Sequence, residues 1–445
     1  MLTVILILLC IVFIVVSTAR YNLHPFLALL TAAFLFGIGS GMPAEQIILA
    51  INEGFGGTLG QIGLIIIIGI IIGVFLENSG GAYALAHRIL IWIGEKSVHT
   101  AMAVIGYIVS IPVFADSGFV ILASLNKALT KKANLSIAGT AIALSMGLTA
   151  THTMVPPTPG PIAAAGLLQA DLGMVMLLGL FTSTGALVVI IFFTKYIGKK
   201  VYIDPEPELQ KEEVEQKIIG APSPFKSFLP IVIPIILIVL RSIGNYPTEP
   251  FGDGQFKTFI GFIGHPVAAL CVGMFFAFLL PKKLDKSMFG ASGWVGKALQ
   301  SAAIIILITG AGGAFGKVLQ SSDIGVLLGT MIGGSRFGIW LPFLTAAAIK
   351  SAQGSSTVAL ITTASILAPL VPDMGLETEL AKAMMVIAIG AGSAVVSHAN
   401  DSFFWVVTQM SGMSVSQGYQ LQTIGSAVLG FSAMIFLTIL RFIIL

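Results

Sequence analysis

The sequence predicts an all-α protein that crosses a membrane many times. Only 10% of its 445 residues are charged and 56% are hydrophobic, whereas a soluble domain carries about 25% charged residues. Apolar runs long enough to cross a bilayer, roughly 20 residues each, recur along the whole chain. The two halves of the chain also repeat each other, as secondary transporters often do. Together these observations predict a polytopic carrier built from two repeats.

The first apolar segment, residues 1–19, is predicted to be a membrane span rather than a cleaved signal peptide. It has no basic residue ahead of its apolar stretch and no small-residue cleavage site. Its first basic residue, Arg20, follows the apolar stretch. This order favours an external start and a cytoplasmic flank.

The N-terminal repeat is predicted over residues 1–200. Besides scaffold spans it contains a re-entrant hairpin over about 99–132 and a broken helix over about 134–170. Residues 201–227 follow, with acidic residues among lysines and prolines. Such a composition is typical of a solvated linker between two units.

The C-terminal repeat is predicted over residues 228–445, with a hairpin over about 338–371 and a broken helix over about 380–412. The pattern His-Pro-x-x-Ala-Leu starts at His24 and again at His265, which is 241 residues later. Weak internal symmetry of this kind indicates related halves that enclose a central site.

Lysine and arginine predict the orientation in the membrane. If each hairpin enters and leaves on one side, each half crosses five times and the second half is inverted. Of the 23 basic residues, 16 then lie on one side, six on the other and Lys350 within the membrane. The positive-inside rule places the richer side, with the linker, in the cytoplasm, so both termini are predicted to be periplasmic. Hairpins that crossed fully would make the repeats parallel and blur this asymmetry.

Four polar interruptions lie in otherwise apolar surroundings, at residues 114–118, 149–161, 350–357 and 393–402. Non-helical backbone is tolerated at membrane depth only where it is buried in protein or lines a wet cavity. Two breaks in each half therefore predict one central polar cavity. Helix N-termini directed at that cavity suit a carboxylate, and the neighbouring hydroxyl and amide side chains suit a polyol.

The same interruptions resemble the gluconate permease family of proton symporters. The resemblance rests on residues 114–119, 151–161, 350–357 and 397–405, and it covers essentially the full chain. It implies uptake of gluconate or a related sugar acid, or of D-serine in some members, across the bacterial inner membrane. It also implies the ion transporter superfamily: homodimeric, elevator-type carriers with two inverted-topology repeats and two re-entrant hairpins.

The candidate proton-coupling residues are the titratable groups in the breaks: Asp116, His152, His398 and Asp401. A lone carboxylate at membrane depth is costly and therefore suggests a function, and an imidazole titrates near neutral pH. Structural alternatives exist for each of them. Asp116 could simply pair with Lys350, Asp401 could cap a helix, and the histidines could be ordinary core residues.

The candidate substrate ligands are polar side chains of the same breaks: Ser117, Thr151, Thr153, Lys350, Ser351, Gln353, Ser355, Ser356, Thr357 and Asn400. The serines could instead cap the hairpin helices by accepting bonds from free amides. The sequence has neither metal-ligand spacing nor a Gly-Lys-Ser/Thr nucleotide loop. No metal, cofactor or ATP-driven pump is therefore expected.

Other functions fit fewer of these features. A sodium-coupled carrier would use the hydroxyl and carbonyl oxygens of the breaks, but the titratable groups favour protons. An integral-membrane enzyme would need a nucleophile paired with a base, and no motif supplies one. A channel would not need a proton-motive force to concentrate its solute. A nucleic-acid partner is not expected, because the net charge is only +3 and the basic residues cluster in loops.

Overall fold

The computed structural model describes residues 2–21, 23–94, 97–205, 220–245, 250–322, 338–399 and 401–444. All regular structure within these ranges is helical. The helices of the first half are α1 (Leu2–Arg20), α2 (Pro25–Gly39), α3 (Ala44–Asn78), α4 (Gly81–Ile93), α5 (Val98–Val109), α6 (Ala115–Lys132), α7 (Ile137–Met154), α8 (Pro159–Leu167) and α9 (Leu172–Lys200).

The second half continues the helical pattern. Its α-helices are α10 (Pro224–Gly244), α11 (Gln255–Ile263), α12 (Pro266–Phe278), α13 (Trp294–Gln320), α14 (Trp340–Gln353), α15 (Ser356–Leu367), α16 (Glu379–Ala394), α17 (Ser402–Met410), α18 (Val415–Gly418) and α19 (Ile424–Ile444). Short 3₁₀ turns cover Lys286–Phe289 and Ala368–Leu370, and a π turn at Tyr419–Thr423 joins α18 to α19. Helix α10 thus begins inside the predicted linker, and residues 206–219 of that linker lie outside the described ranges.

Within the described ranges, five helices are long and apolar enough to cross a bilayer. They are Ala44–Asn78, Leu172–Lys200, Pro224–Gly244, Lys286–Gln320 and Val415–Ile444. Helices α11 and α12 add a sixth span if they count as one, although they are bent by 64° at the junction between them. These lengths fit a multi-pass membrane protein, since about 20 helical residues cross the hydrocarbon core.

The repeated His-Pro pattern starts a helix in both halves. His24 caps α2, where its Nδ1 accepts a hydrogen bond from the Phe26 amide at 3.3 Å, and Pro25 is the first helical residue. His265 and Pro266 occupy the same places at the start of α12. Proline suits this position because its missing N–H would have no partner within the helix anyway.

All four predicted interruptions break a helix. Helix α7 ends at Met154 before a cis Pro156–Pro157 bond, and α8 starts at Pro159. The other three breaks separate α5 from α6, α14 from α15, and α16 from α17. Because proline at an interior position removes a helical hydrogen bond and clashes with the preceding turn, the proline-rich break was predictable from the sequence alone.

The long helices α3 and α13 form a closely packed central pair. Their approach depends on glycine, because a Cβ atom at Gly54 would overlap the backbone of Gly313 and lie against Lys317. Helix α8 packs on α3, and α15 packs on α13. The pair of α3 and α13 therefore contacts one helix that follows a break in each half of the chain: α8 in the first half and α15 in the second.

Candidate functional site

The four helix breaks meet around a cavity of about 240 Å³. The first turns of α6, α15 and α17 reach it, together with the last turns of α7 and α14. The residues that line it are Ala115, Asp116, Thr149, His152, Lys350, Gly354, Ser355, Ser356, Thr357, Ala394, Ser397, Asp401, Ser402 and Phe403. The prediction of one cavity shared by all four interruptions is confirmed.

Asp401 is the N-cap of α17, a position that favours aspartate because its carboxylate accepts bonds from free amides. Its Oδ1 accepts the Phe403 amide at 3.0 Å. Its Oδ2 accepts the Ser397 hydroxyl at 2.6 Å and the Lys350 ammonium at 2.7 Å. The capping alternative proposed for Asp401 is thus confirmed, and the same carboxylate also takes part in an ion pair.

Lys350 lies in the last turn of α14, and only 1% of its side chain is exposed. Besides Asp401, its Nζ donates to the carbonyl oxygen of Gly354. Gly354 ends α14 in the left-handed region at φ +91°, which glycine adopts without a Cβ penalty. The turn at the end of α14 therefore places the Gly354 carbonyl oxygen against the buried Lys350 ammonium. Such pairing is what allows a charge to remain at this depth.

The alternative in which Asp116 simply pairs with Lys350 is not what the structure shows. Lys350 pairs with Asp401, because the N-cap geometry of α17 holds that carboxylate against the end of α14. Asp116 lies in the first turn of α6 and interacts electrostatically with both Lys350 and Asp401. Its carboxylate also interacts with the Ser402 side chain. The cavity thus holds two carboxylates and one ammonium.

The two candidate histidines have different surroundings. His152 lines the cavity from the last turn of α7, and its buried Nδ1 has no hydrogen-bond partner among the described residues. Its ring centroid lies 6.0 Å from that of Phe114. His398 does not line the cavity, and its Nε2 lies 2.8 Å from the carbonyl oxygen of Ser351. The structure therefore brings only His152 to the charged cluster.

The candidate hydroxyl ligands divide into two groups. Ser355, Ser356 and Thr357 line the cavity at the start of α15. Ser355 also caps that helix by accepting the Val358 amide at 3.3 Å, so the predicted capping role is confirmed for it. Ser351 does not line the cavity, and its hydroxyl donates to the Ala347 carbonyl at 2.7 Å.

Three further candidates of the N-terminal half do not line this cavity. Thr151 donates to the Tyr107 carbonyl at 2.9 Å, Thr153 donates to the Thr149 carbonyl at 2.9 Å, and both are fully buried. Ser117 interacts with the carboxylate of Glu77. Thr149 and His152 face the cavity instead, because residues three apart share one side of a helix.

Two other candidates cannot be placed. Asn400 lies outside the described residues, as does the side chain of Gln353. The sequence reasoning also missed Thr149, Ser397 and Ser402 as lining residues. The spacing of Thr149, three residues before His152 on α7, was a usable signal. Within the described ranges, no cluster of three histidine, cysteine or acidic residues could hold a metal ion.

Comparison with known proteins connects this chain to a transport family. The profile described as GntP family permease matches residues 2–443. A gluconate permease of Pseudomonas aeruginosa is 32% identical over 97% of this chain and 95% of its own. The D-serine transporter DsdX of Escherichia coli K12 is 32% identical over 98% of both chains. The crystal structure of the Alcanivorax borkumensis YdaH transporter shares the fold, with a TM-score of 0.64 and 14% identity over 94% of this chain and 99% of its own.

Proposed function

The chain belongs to the GntP family of permeases, and from that premise we propose that it imports gluconate or a related small sugar acid together with protons. The observation that carries this proposal is the cavity in which Lys350, Asp401 and Asp116 meet three helix N-termini. The gluconate permease relative supports the choice of substrate. Secondary transport is proposed, rather than an enzyme or a channel.

The electrostatics of the cavity favour a small anion that carries hydroxyl groups. The N-terminal turns of α6, α15 and α17 bring the positive ends of their helix dipoles to the cavity. The hydroxyls of Ser355, Ser356 and Thr357 stand beside them. Substrate carboxylate would lie at the amides and near Lys350, and substrate hydroxyls would meet the serines and the threonine.

Charge balance gives a physical reason for proton coupling. Two carboxylates and one ammonium leave the ionised cluster with one excess negative charge, which repels an anionic substrate. A proton on Asp116 removes that excess, since Asp401 stays compensated by Lys350. Substrate and proton therefore favour each other's binding. His152, His398 and Asp401 are proposed as further titratable groups of the coupling path.

The proposed transport mechanism uses two inverted repeats that move as in elevator carriers. Equivalent helices begin at offsets that differ by one residue: α6 at Ala115 and α15 at Ser356 are 241 residues apart, and α7 at Ile137 and α16 at Glu379 are 242 apart. This agrees with the spacing of the His-Pro patterns. The proposal includes a homodimer, two re-entrant hairpins, and both termini in the periplasm.

D-serine is a second candidate substrate. A D-serine transporter is among the relatives of this chain, and one structural observation also favours D-serine. Asp116 has no ion pair with any described residue, although it lies on the cavity. An amino acid carries an ammonium group as well as a carboxylate. Asp116 could pair with the ammonium group, while the helix N-termini bind the carboxylate.

Uptake by purified protein in proteoliposomes tests the proposal. Labelled gluconate, ketogluconate, idonate, D-serine and citrate would be offered under an imposed pH gradient, a sodium gradient or neither. We expect gluconate or a close analogue to accumulate unchanged, and only when the outside is acidic. Chemical conversion of the label would indicate an enzyme, accumulation driven by sodium would exclude proton coupling, and equilibration without accumulation would indicate a channel.

A further inference from the structure

Helix α19 packs along the break between α16 and α17, the break that carries Asp401. The approach is close, because a Cβ atom at Gly430 would overlap the side chain of Val395. Val396, the next residue of the break, has a positive φ of +56°. Among the described residues it is the only β-branched one in that left-handed region. Such a conformation is costly for a β-branched residue, so it persists only where neighbouring groups hold the backbone.

The groups that hold this backbone belong to the π turn and the first turn of α19, and they bind Ser397. The Ser397 amide donates to the Ser426 hydroxyl at 2.9 Å, and the Thr423 hydroxyl donates to the Ser397 carbonyl at 2.6 Å. The Ser426 hydroxyl in turn donates to the Thr423 carbonyl at 2.9 Å. Two side chains thus fix both backbone groups of the residue that follows Val396.

With its backbone held, Ser397 directs its side chain at the buried ion pair. Its hydroxyl donates to Asp401 Oδ2 at 2.6 Å, and the same oxygen accepts the Lys350 ammonium at 2.7 Å. A hydrogen bond weakens steeply when its donor is displaced or tilted. The bond to Asp401 therefore depends on where the backbone of Ser397 lies.

The π turn also contacts a second wall of the cavity. Gln422 is 1% exposed, and its Oε1 accepts the hydroxyl of Ser145 on α7 at 2.8 Å. The carbonyl of Ser145 accepts the hydroxyl of Thr149, which lines the cavity. Single π turns occur frequently at functional sites. This one contacts both α7 and the break that carries Asp401.

We propose that Thr423 and Ser426 are positioning residues for substrate binding: they hold Ser397 so that its hydroxyl fixes the Asp401 carboxylate against Lys350. This inference rests on the proposed function, in which the substrate carboxylate lies near Lys350. Neither Thr423 nor Ser426 lines the cavity, so both act through Ser397 rather than on the substrate. Loss of the Thr423 hydroxyl releases the Ser397 carbonyl, and the hydroxyl of Ser397 then no longer fixes Asp401.

The test compares Thr423→Val with Thr438→Val in proteoliposomes. Valine has nearly the shape of threonine but no hydroxyl to donate. Thr438 is the matched control, because it lies on α19 and its hydroxyl donates to the Met434 carbonyl of the same helix. We expect Thr423→Val to raise the KM for uptake of labelled gluconate at least about tenfold, the usual effect of losing a hydrogen bond to a charged group. Thr438→Val should leave the KM unchanged, and Thr423→Ser, which keeps a hydroxyl, should recover most of the affinity.

Ser397→Ala separates positioning from a general loss of structure. Alanine keeps the backbone groups that Thr423 and Ser426 bind, but it lacks the hydroxyl that reaches Asp401. If Thr423 acts through that hydroxyl, Thr423→Val raises the KM of the wild type and changes that of the Ser397→Ala protein little. An equal rise in both backgrounds would refute the proposal, since Thr423 would then be purely structural. An unchanged KM for Thr423→Val would refute it as well.

Thermal unfolding in detergent gives a second readout, which needs no substrate. Thr423→Val and Ser397→Ala together should lower the unfolding temperature by less than the sum of their separate effects, because each breaks the same link to Asp401. Thr438→Val and Ser397→Ala should be additive.

The two readouts keep this inference distinct from the proposed function. A wild type that takes up no gluconate would count against the proposed function alone, and the unfolding cycle would still decide whether Thr423 positions Asp401. Additive losses of Thr423→Val and Ser397→Ala in that cycle would refute the positioning. If Thr423→Val does not fold, Ser426→Ala, which removes the acceptor of the Ser397 amide, replaces it in both cycles.

Discussion

Lys350 Nζ lies 2.7 Å from Asp401 Oδ2, and the pair joins the last turn of α14 to the first turn of α17. The two side chains are only 1% and 10% exposed. The Ser397 hydroxyl also donates a hydrogen bond to the Asp401 carboxylate, and the Gly354 carbonyl oxygen accepts one from the Lys350 ammonium. This ion pair fixes two of the four helix breaks relative to each other, and it leaves Asp116 as the cavity carboxylate without an ion pair among the described residues.

The ion pair predicts a large coupling energy between its members. Lys350→Met or Asp401→Asn alone leaves one buried charge uncompensated, at a cost of about 3–5 kcal/mol. Asparagine retains the capping oxygen for α17, so that variant isolates the loss of charge. The double variant should be clearly more stable than the sum of the single losses predicts. Thermal unfolding of the four proteins in detergent measures the interaction energy, and additive losses would exclude a pair.

Asp116→Asn is expected to abolish accumulation driven by a pH gradient. The substitution removes the carboxylate whose protonation balances the charge of the cavity. Exchange of internal for external substrate should survive, because the charge state of the variant already resembles the protonated protein. Asp253→Asn, at an exposed carboxylate paired with Lys257, is the control. Normal accumulation by Asp116→Asn would exclude Asp116 as the coupling residue.

His152 is expected to form a hydrogen bond to the substrate, because it lines the cavity and its Nδ1 lacks a partner within the described residues. His152→Leu removes this hydrogen bond and should raise the KM for uptake roughly tenfold. His152→Gln keeps a hydrogen-bonding group and should keep much of the affinity. If His152 also carries the proton, the glutamine variant will still lose accumulation. A KM for His152→Leu equal to that of the wild type would rule out contact with the substrate.

Gly73→Ala is expected to destabilise the protein, because its Cβ would overlap the Pro112 carbonyl oxygen at the α5–α6 break. Overpacking of this kind costs about 1–3 kcal/mol. Gly63→Ala on the same helix is the matched control, since its Cβ would meet nothing within 4 Å. That substitution should be neutral or stabilising. Unfolding temperatures in detergent compare the two, and a Gly73→Ala protein as stable as wild type would contradict this packing.

The proposed topology predicts opposite labelling of two exposed positions. Tyr202, which is 70% exposed, lies in the linker that the positive-inside rule places in the cytoplasm. Asp253 lies in the loop before α11, which the same count places in the periplasm. On a background without Cys10 and Cys271, a membrane-impermeant thiol reagent should label Asp253→Cys in intact cells and Tyr202→Cys only after lysis. The reverse pattern would refute the orientation.

The sequence by itself determined where the helices break and which chemistry gathers there. The proline-rich run of residues 155–161 cannot continue a helix, so the end of α7 at Met154 follows from local stereochemistry. Polar side chains at membrane depth need a shared polar environment. That requirement alone predicted the common cavity and the presence in it of Asp116, His152, Lys350 and Asp401.

Only the tertiary structure decided which side chains face one another. The partner of Lys350 depends on how the N-cap of α17 meets the end of α14, and a symmetric repeat could not distinguish Asp401 from Asp116. Likewise, the rotation of α7 turns Thr149 and His152 to the cavity and Thr151 away from it. All residues of this helix except His152 are buried. The sequence therefore shows no amphipathic pattern from which its rotation could be read, and packing against α5, α9 and α16 sets it.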